Sequence, residues 1–126
     1  MPKAKIMIID DEEAIIEFVR TALKTFGYDV IWATSGEMAF IQLQKEKPDL
    51  IFLDVMMPHM NGWEVLELLK TDEATQSIPV IMLTALDKPK DRLQSAKEGA
   101  ADFLAKPFNH NHMLEKIRDV LGESVA

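Results

Sequence analysis

The chain has 126 residues and a mass of 14.3 kDa, the size of one domain that can bury roughly two-thirds of its unfolded surface. Its 21 acidic residues outnumber 14 basic ones and give a net charge of −7, which argues against direct contact with a nucleic acid backbone. The absence of cysteine excludes disulfides, thiolate metal ligands and cysteine nucleophiles. No apolar stretch approaches the ~18 residues of a membrane span, and the N-terminus lacks the apolar core of a signal peptide, so we expect a cytoplasmic protein.

The first predicted strand is the short apolar run Lys5–Ile9, which leads into the acidic run Asp10–Glu13. Apolar residues then recur at the spacing of an amphipathic helix: Ile15, Ile16, Val19, Ala22, Leu23 and Phe26. Gly27 is a typical residue to end that helix.

Tyr28–Ala33 predicts a second strand. Thr34-x-x-Glu37 fits a capping box, which predicts that a second helix begins there and ends before Pro48. The apolar residues that this helix carries are Met38, Ala39, Ile41 and Leu43.

The central strand is Leu50–Asp54, in which four apolar residues run directly into a carboxylate, with Pro58 following four positions later. Such a run predicts a strand buried on both faces, as in a parallel sheet. Asn61 and Gly62 precede a third predicted helix, which carries Trp63, Leu66 and Leu69.

Pro79–Thr84 predicts a fourth strand, and Asp87 is a candidate cap for a fourth helix with Pro89 in its first turn and Gly99 after its end. This helix has little apolar anchorage, with Leu93 and Ala96 as its main apolar residues, so low local stability is expected. Ala101–Ala105 predicts the fifth strand. The last helix is expected over Asn109–Leu121, with buried residues Met113, Ile117, Val120 and Leu121.

Five strands that alternate with five helices predict an α/β fold, in which a parallel sheet is covered by helices on both faces. We expect a doubly wound, flavodoxin-like (βα)5 sandwich with the strand order 2-1-3-4-5. No repeat or internal linker is visible, so the chain is interpreted as a single domain over residues 1–126 with a core of about 5–121.

Polar residues stand at the ends of four predicted strands: Asp10 and Asp11, Asp54, Thr84 and Lys106. In a parallel sheet these ends lie on one edge, so the side chains should converge. Each has a plainer explanation by itself. The acids at 10–13 could cap a helix, Asp54 could cap a loop, Thr84 could be an ordinary strand residue and Lys106 could be solvated. Their joint occurrence on one edge favours a functional site.

Phosphoryl transfer to a carboxylate is the chemistry that uses this set of groups. Crowded carboxylates repel one another unless a cation lies between them, and oxygen ligands favour Mg²⁺, for which Mn²⁺ is a possible substitute. Asp54 would be the nucleophile that forms an aspartyl phosphate. Lys106 would neutralise charge on the phosphoryl oxygens, and Thr84 could donate a hydrogen bond to one of them.

The sequence resembles the receiver domain of two-component response regulators over roughly Lys5 to Leu121. The matching motifs are Asp10-Asp11, Asp54-x-x-x-Pro58-x-x-x-Gly62, Thr84-Ala85 and the run from Gly99 to Phe108. The resemblance implies that Asp54 accepts phosphate from a phosphohistidine of a histidine kinase or a phosphotransfer protein. It also implies that Asp10, Asp11, Asp54 and the backbone carbonyl of Met56 bind Mg²⁺.

Further roles follow from the same resemblance. Lys106 would contact the phosphoryl group and precede a cis peptide bond to Pro107, while Thr84 and Phe103 would form the switch pair. Position 103 carries phenylalanine and not tyrosine, which merely removes a hydroxyl. Met56 and Leu86 would flank the path of the hydrolytic water, and because both are apolar we expect slow self-dephosphorylation.

We therefore interpret the chain as a phosphorylatable receiver that is not an enzyme toward other substrates and signals through the face formed by its fourth helix, fifth strand and fifth helix. Direct binding to nucleic acid or to a membrane is not expected. One alternative is a haloacid-dehalogenase-type phosphohydrolase, although such enzymes have an Asp-x-Asp pattern on the first strand and usually a cap insertion. Another is an unphosphorylated interaction module. The short tail Gly122–Ala126 favours a stand-alone receiver.

Overall fold

The computed structural model describes residues 4–85 and 89–122, which form five strands and five helices in strict alternation. The elements are β1 (Lys5–Ile9), α1 (Glu13–Thr25), β2 (Asp29–Ala33), α2 (Gly36–Lys45), β3 (Leu50–Asp54), α3 (Gly62–Thr71), β4 (Val80–Ala85), α4 (Pro89–Lys97), β5 (Asp102–Lys106) and α5 (His110–Leu121). The predicted alternation is confirmed, with element ends within a few residues of those expected.

The five strands form one parallel sheet in the order β2-β1-β3-β4-β5, which confirms the predicted doubly wound topology. Alternate residues of the central strands enter two separate cores. Met7, Ile51 and Met82 pack with α2 and α3, whereas Ile8, Phe52 and Ile81 pack with α1 and α5. Every residue of β3 is buried because helices cover both faces of the sheet.

Helix α2 begins one residue later than predicted. Its N-cap is Ser35, whose side chain accepts a hydrogen bond from the Met38 backbone N–H, so the predicted Thr34–Glu37 capping box is wrong. The buried residues of α2 are Gly36, Ala39 and Leu43, whereas Met38 and Ile41 are exposed.

Helix α4 is anchored differently from the prediction. Leu93 is 69% exposed and Ala96 is also exposed, so neither is an apolar anchor. Ser95 is buried instead, and its hydroxyl donates a hydrogen bond of 2.8 Å to the Asp91 carbonyl, which satisfies the polar group within the helix. A small residue whose hydroxyl is paired locally can face the sheet. The expected cap Asp87 lies outside the described residues.

The last helix agrees better with its prediction. Asn109 caps α5 by accepting a hydrogen bond from the His112 backbone N–H. Met113 and Ile117 are buried as expected, whereas Val120 and Leu121 are only partly buried. Within the described ranges, none of the helices has the length and apolar character needed to cross a membrane.

Candidate functional site

Four strands of the sheet bring polar side chains to one edge. Asp10 directly follows β1, Asp54 is the last residue of β3, Thr84 lies near the end of β4, and Lys106 is the last residue of β5. The register pairs Asp54 with Leu83 and Ala85 with Lys106, so these strand ends lie at nearly the same level. The predicted convergence of these strand ends on one edge is therefore present in the fold.

Lys106 is the centre of this cluster. Its Nζ lies 2.9 Å from Asp10 Oδ2, 3.1 Å from Asp54 Oδ1 and 3.4 Å from Glu12 Oε1. Asp10 Oδ2 has the distance of an ion pair to Lys106 but no partner in hydrogen-bond geometry. One ammonium group thus faces three carboxylates and cannot satisfy all of their oxygens.

Burial changes the protonation of these groups. Burial raises the pKa of Asp54 from 3.8 to about 7; the negative charge of Asp10 adds to the rise, and Lys106 opposes it. Burial also raises the pKa of Asp10, whereas the hydrogen bond from the Glu12 backbone N–H and the neighbouring Lys106 ammonium group oppose the rise. Burial lowers the pKa of Lys106, but its pairing with Asp10 and the charge of Asp54 outweigh burial and raise it. The carboxylates are therefore short of positive charge.

One carboxylate oxygen from each of Asp10, Glu12 and Asp54 lies within 4.8 Å of the other two. Asp11 is exposed and is not part of this group, although its charge contributes to the raised pKa of Asp54. The side chain of Met56 is 63% exposed beside the end of β3. The structure thus brings Asp10 and Asp54 together and leaves Asp11 at the rim.

Glu12 is a site residue that the sequence reasoning missed. It precedes α1 at the N-cap position, where an acid is expected to cap the helix, but its side chain makes no capping hydrogen bond. Asp10 Oδ1 instead accepts the Glu12 backbone N–H at 2.9 Å. The sequence signal that could have indicated Glu12 is the length of the acidic run Asp10–Glu13, because capping one helix does not require four acidic residues.

Thr84 is 1% exposed, and its hydroxyl has no hydrogen-bond partner. A buried hydroxyl without a partner is unfavourable, so it is available for a new acceptor. Phe103 is partly buried against the core on the α2 and α3 side of the sheet. Its ring lies 5.2 Å from Lys116 Nζ, which is also paired with Asp102 at 3.1 Å. Phe103 is therefore held at the edge of the sheet by contacts on both sides.

The loops around the site pack closely. A Cβ on Gly62 would lie 2.2 Å from the Asp54 carbonyl oxygen, and the Gly62 N–H donates to Val55 at 2.9 Å. Gly62 therefore permits α3 to begin directly against the end of β3. The Lys106–Pro107 peptide bond is cis. Leu86 lies outside the described residues.

The donor set suits a hard divalent cation. Three carboxylates lie within reach of one ion, and Asp10 Oδ2 is buried with no hydrogen bond of its own. Oxygen ligands of this kind are those that Mg²⁺ and Ca²⁺ prefer. Asp10 and Asp54 therefore fit the metal that the resemblance implies, and Glu12, in place of the exposed Asp11, is the third carboxylate within reach.

Together, the fold and the site define a doubly wound α/β domain whose polar chemistry gathers in one acidic, lysine-bearing site at the carboxyl edge of the sheet. Residues 6–118 match the family model of the response regulator receiver domain, and the chain belongs to this family. The resemblance seen in the sequence is thereby confirmed.

Curated relatives agree with this assignment. The chain is 44% identical over 120 residues to the DNA-binding dual master transcriptional regulator RpaA of Synechocystis sp., covering 93% of the chain and 48% of that protein. It is 39% identical over 120 residues to the alkaline phosphatase synthesis transcriptional regulatory protein PhoP of Bacillus subtilis, covering 95% and 49%. The chain spans about half the length of these relatives.

Two solved structures are similar along nearly their whole length. A putative response regulator from Chloroflexus aurantiacus superposes with a TM-score of 0.91 at 30% identity, covering 97% of this chain and 99% of that one. The chemotaxis protein CheY4 of Vibrio cholerae has a TM-score of 0.87 at 32% identity, with coverage of 93% and 98%. These structures support the same fold and family.

Proposed function

We propose that Asp54 is the phosphoacceptor of this receiver and takes a phosphoryl group from a phosphohistidine of a histidine kinase or phosphotransfer protein. The observation that carries this proposal is the buried Asp54 carboxylate, held 3.1 Å from Lys106 in a cluster that has too little positive charge. Asp54 is also the last residue of the central buried strand, which fixes its position. A nucleophile and a charge-neutralising group are thus already adjacent.

We propose Mg²⁺ as the cofactor, held by Asp10, Asp11 and Asp54 with the backbone carbonyl of Met56. When bound, the ion would neutralise charge on the transferring phosphoryl group. The protein side chains supply the rest: Asp54 attacks, Lys106 neutralises an oxygen, and the unpaired Thr84 hydroxyl donates a hydrogen bond to the product. Residues 5–121 would perform this work as one receiver domain.

We propose that the output is a change of the surface formed by α4, β5 and α5, which a downstream protein recognises. Helix α4 supports this assignment because the only buried residue among its described side chains is Ser95. An element with few buried apolar groups is displaced at low cost. The relatives are named as DNA-binding or transcriptional regulators, but the net charge of −7 argues that any contact with DNA lies outside this domain.

The proposal also treats the chain as a signalling domain without other enzymatic activity. A phosphohydrolase of the haloacid-dehalogenase type would have its nucleophile on β1 in an Asp-x-Asp pattern. Here Asp10 and Asp11 are adjacent, and Asp54 on β3 carries the strongly raised pKa of about 7. Steady turnover of a phosphomonoester would favour the hydrolase, whereas labelling that stops at one group per chain favours the receiver.

The test is to label the protein with acetyl phosphate in the presence of Mg²⁺. The wild type should take up one acid-stable, base-labile phosphoryl group, and Asp54→Asn should take up none. Asp49→Asn is the matched control, because this exposed aspartate directly precedes the same strand. Intact-mass spectrometry reads the result, and equal labelling of Asp54→Asn and Asp49→Asn would place the nucleophile elsewhere.

A further inference from the structure

Glu12 is the solvent-facing member of the three carboxylates that surround Lys106. Its Oε1 lies 3.4 Å from Lys106 Nζ, and its side chain is 60% exposed. The other two acids are almost fully enclosed, with side-chain exposures of 0% for Asp10 and 5% for Asp54. Glu12 therefore covers the outer side of the ammonium group, whereas Asp10 and Asp54 hold it from within the fold.

The backbone of Glu12 is fixed while its side chain is free to move. Its N–H donates to Asp10 Oδ1 at 2.9 Å, and its carbonyl accepts the N–H groups of Ile15 and Ile16 in the first turn of α1. The side chain makes no capping bond, and its pairing with Lys106 is the longest of the three. An exposed ion pair contributes little stability. The carboxylate can therefore swing away from Lys106 at small cost.

We propose that Glu12 is a gating residue that selects phosphodonors by their charge. This inference rests on the proposed function of Asp54 as phosphoacceptor. A donor must bring its phosphoryl oxygens to Lys106, where Glu12 now sits, and Glu12 lies within 4.8 Å of the nearest Asp54 oxygen. Its negative charge repels an anionic donor in proportion to the donor's own charge. Glu12 thus slows small anionic donors.

The transfer step itself involves no proton. A carboxylate oxygen of Asp54 forms a bond to phosphorus while the bond from phosphorus to the leaving group breaks. With acetyl phosphate, the electron pair of that bond leaves on acetate. For a given donor, a change of charge at residue 12 therefore alters the barrier only through the electrostatic surroundings of the phosphoryl group.

The test compares two small donors of different charge. Acetyl phosphate carries two negative charges near neutral pH, and phosphoramidate carries one net negative charge. Glu12→Gln should raise the labelling rate of Asp54 roughly fivefold with acetyl phosphate and roughly twofold with phosphoramidate, because the repulsion scales with donor charge. The labelling rate of each variant is divided by the wild-type rate with the same donor. Differences between the leaving groups of the two donors therefore cancel. High salt should reduce both gains.

Glu13→Gln is the matched control, since it removes the same charge from the next, exposed residue. All variants are assayed at a Mg²⁺ concentration that saturates their own thermal shift. Equal gains for both donors, or equal rates in Glu12→Gln and Glu13→Gln, would overturn the proposal. A roughly tenfold or greater loss of Mg²⁺ affinity in Glu12→Gln would also overturn it, because Glu12 would then act through the metal site and not on the donor. Wild type that takes no label would defeat the proposed function itself.

Discussion

Asp54 Oδ1 and Lys106 Nζ lie 3.1 Å apart, although the strands of these residues, β3 and β5, are separated in the sheet by β4. The lysine side chain therefore extends across the end of β4 to reach the central strand. It meets Asp10 from β1 at the same point, at 2.9 Å. A single cation thus ties together the ends of three strands.

Asp54→Asn should stabilise the metal-free protein above neutral pH. The pKa of Asp54 is raised from 3.8 to about 7, so the protonated carboxyl group favours folding below the unfolded value, and this contribution is lost progressively as the pH rises from about 4 through about 7. In EDTA, the free energy of unfolding of the variant should exceed that of wild type by roughly 1–3 kcal/mol at about pH 8 and by little at about pH 4. Urea denaturation measures this difference.

Asp119→Asn is the control for that experiment, because it removes an exposed carboxylate on α5 that is remote in sequence from the site. Its stability should follow wild type at both pH values. A difference between Asp54→Asn and wild type that does not change with pH would contradict the raised pKa of Asp54.

Asp11→Ala should remove most of the stabilisation by Mg²⁺. Metal that binds only the folded state stabilises it by RT ln(1 + [L]/Kd), so a lost ligand lowers the gain at a given concentration. Asp11 lies at the rim, and its charge acts on Asp54, which is consistent with a role at the metal. Melting temperatures across a Mg²⁺ titration measure the effect. Asp29→Ala, at an exposed aspartate of β2, should respond like wild type; an equal response of Asp11→Ala would remove Asp11 from the metal site.

Gly62→Ala should destabilise the fold and disturb the acceptor. The new Cβ would lie 2.2 Å from the Asp54 carbonyl oxygen and 2.8 Å from Val55 Cα, and both are backbone atoms. We expect a loss of roughly 1–3 kcal/mol in the free energy of unfolding and slower labelling of Asp54. In Gly36→Ala the Cβ meets the side chains of Met60 and Val65 instead, so the loss should be smaller. Equal losses would show that the backbone contact with Asp54 is unimportant.

The fold and most of the site were predictable because strand order and strand ends follow from local patterns. Parallel strands place their carboxyl ends on one edge, so Asp10, Asp54 and Lys106 could be brought together without any coordinates. The N-cap of α2 was not predictable, since two adjacent hydroxyl residues, Thr34 and Ser35, compete for that position. The Glu12–Lys106 pair joins residues 94 positions apart, and an acid beside a helix start has a simpler local explanation.

Met56→Asn should shorten the lifetime of the phosphoryl group. Met56 is 63% exposed beside the acceptor strand and cannot orient a water molecule by hydrogen bonding, whereas an amide can. Loss of label after removal of the donor measures the lifetime, and Leu86→Glu is expected to act in the same direction. Ile41→Asn, at an exposed apolar residue of α2, is the control. Equal lifetimes in all variants would show that these side chains do not control access of water.

Thr84→Val should weaken the conformational response to phosphorylation without lowering stability or preventing phosphorylation. The Thr84 hydroxyl is buried without a partner, so an isosteric valine should leave the free energy of unfolding unchanged or raise it. Labelling of Asp54 should persist. The phosphorylated site then lacks the hydroxyl that would turn toward the new oxygens. Phe103 should therefore keep its contact with Lys116.

Hydrogen exchange with and without beryllofluoride, a mimic of the phosphoryl group, reads this response over residues 89–108. Wild type should change there, and Thr84→Val should change much less. Thr75→Val is the matched control, because the Thr75 hydroxyl is buried but donates to the Leu69 carbonyl at 2.7 Å. It should cost roughly 1 kcal/mol or more of stability and leave the response intact. A full response in Thr84→Val would mean that the Thr84 hydroxyl does not couple Asp54 to the surface of α4, β5 and α5.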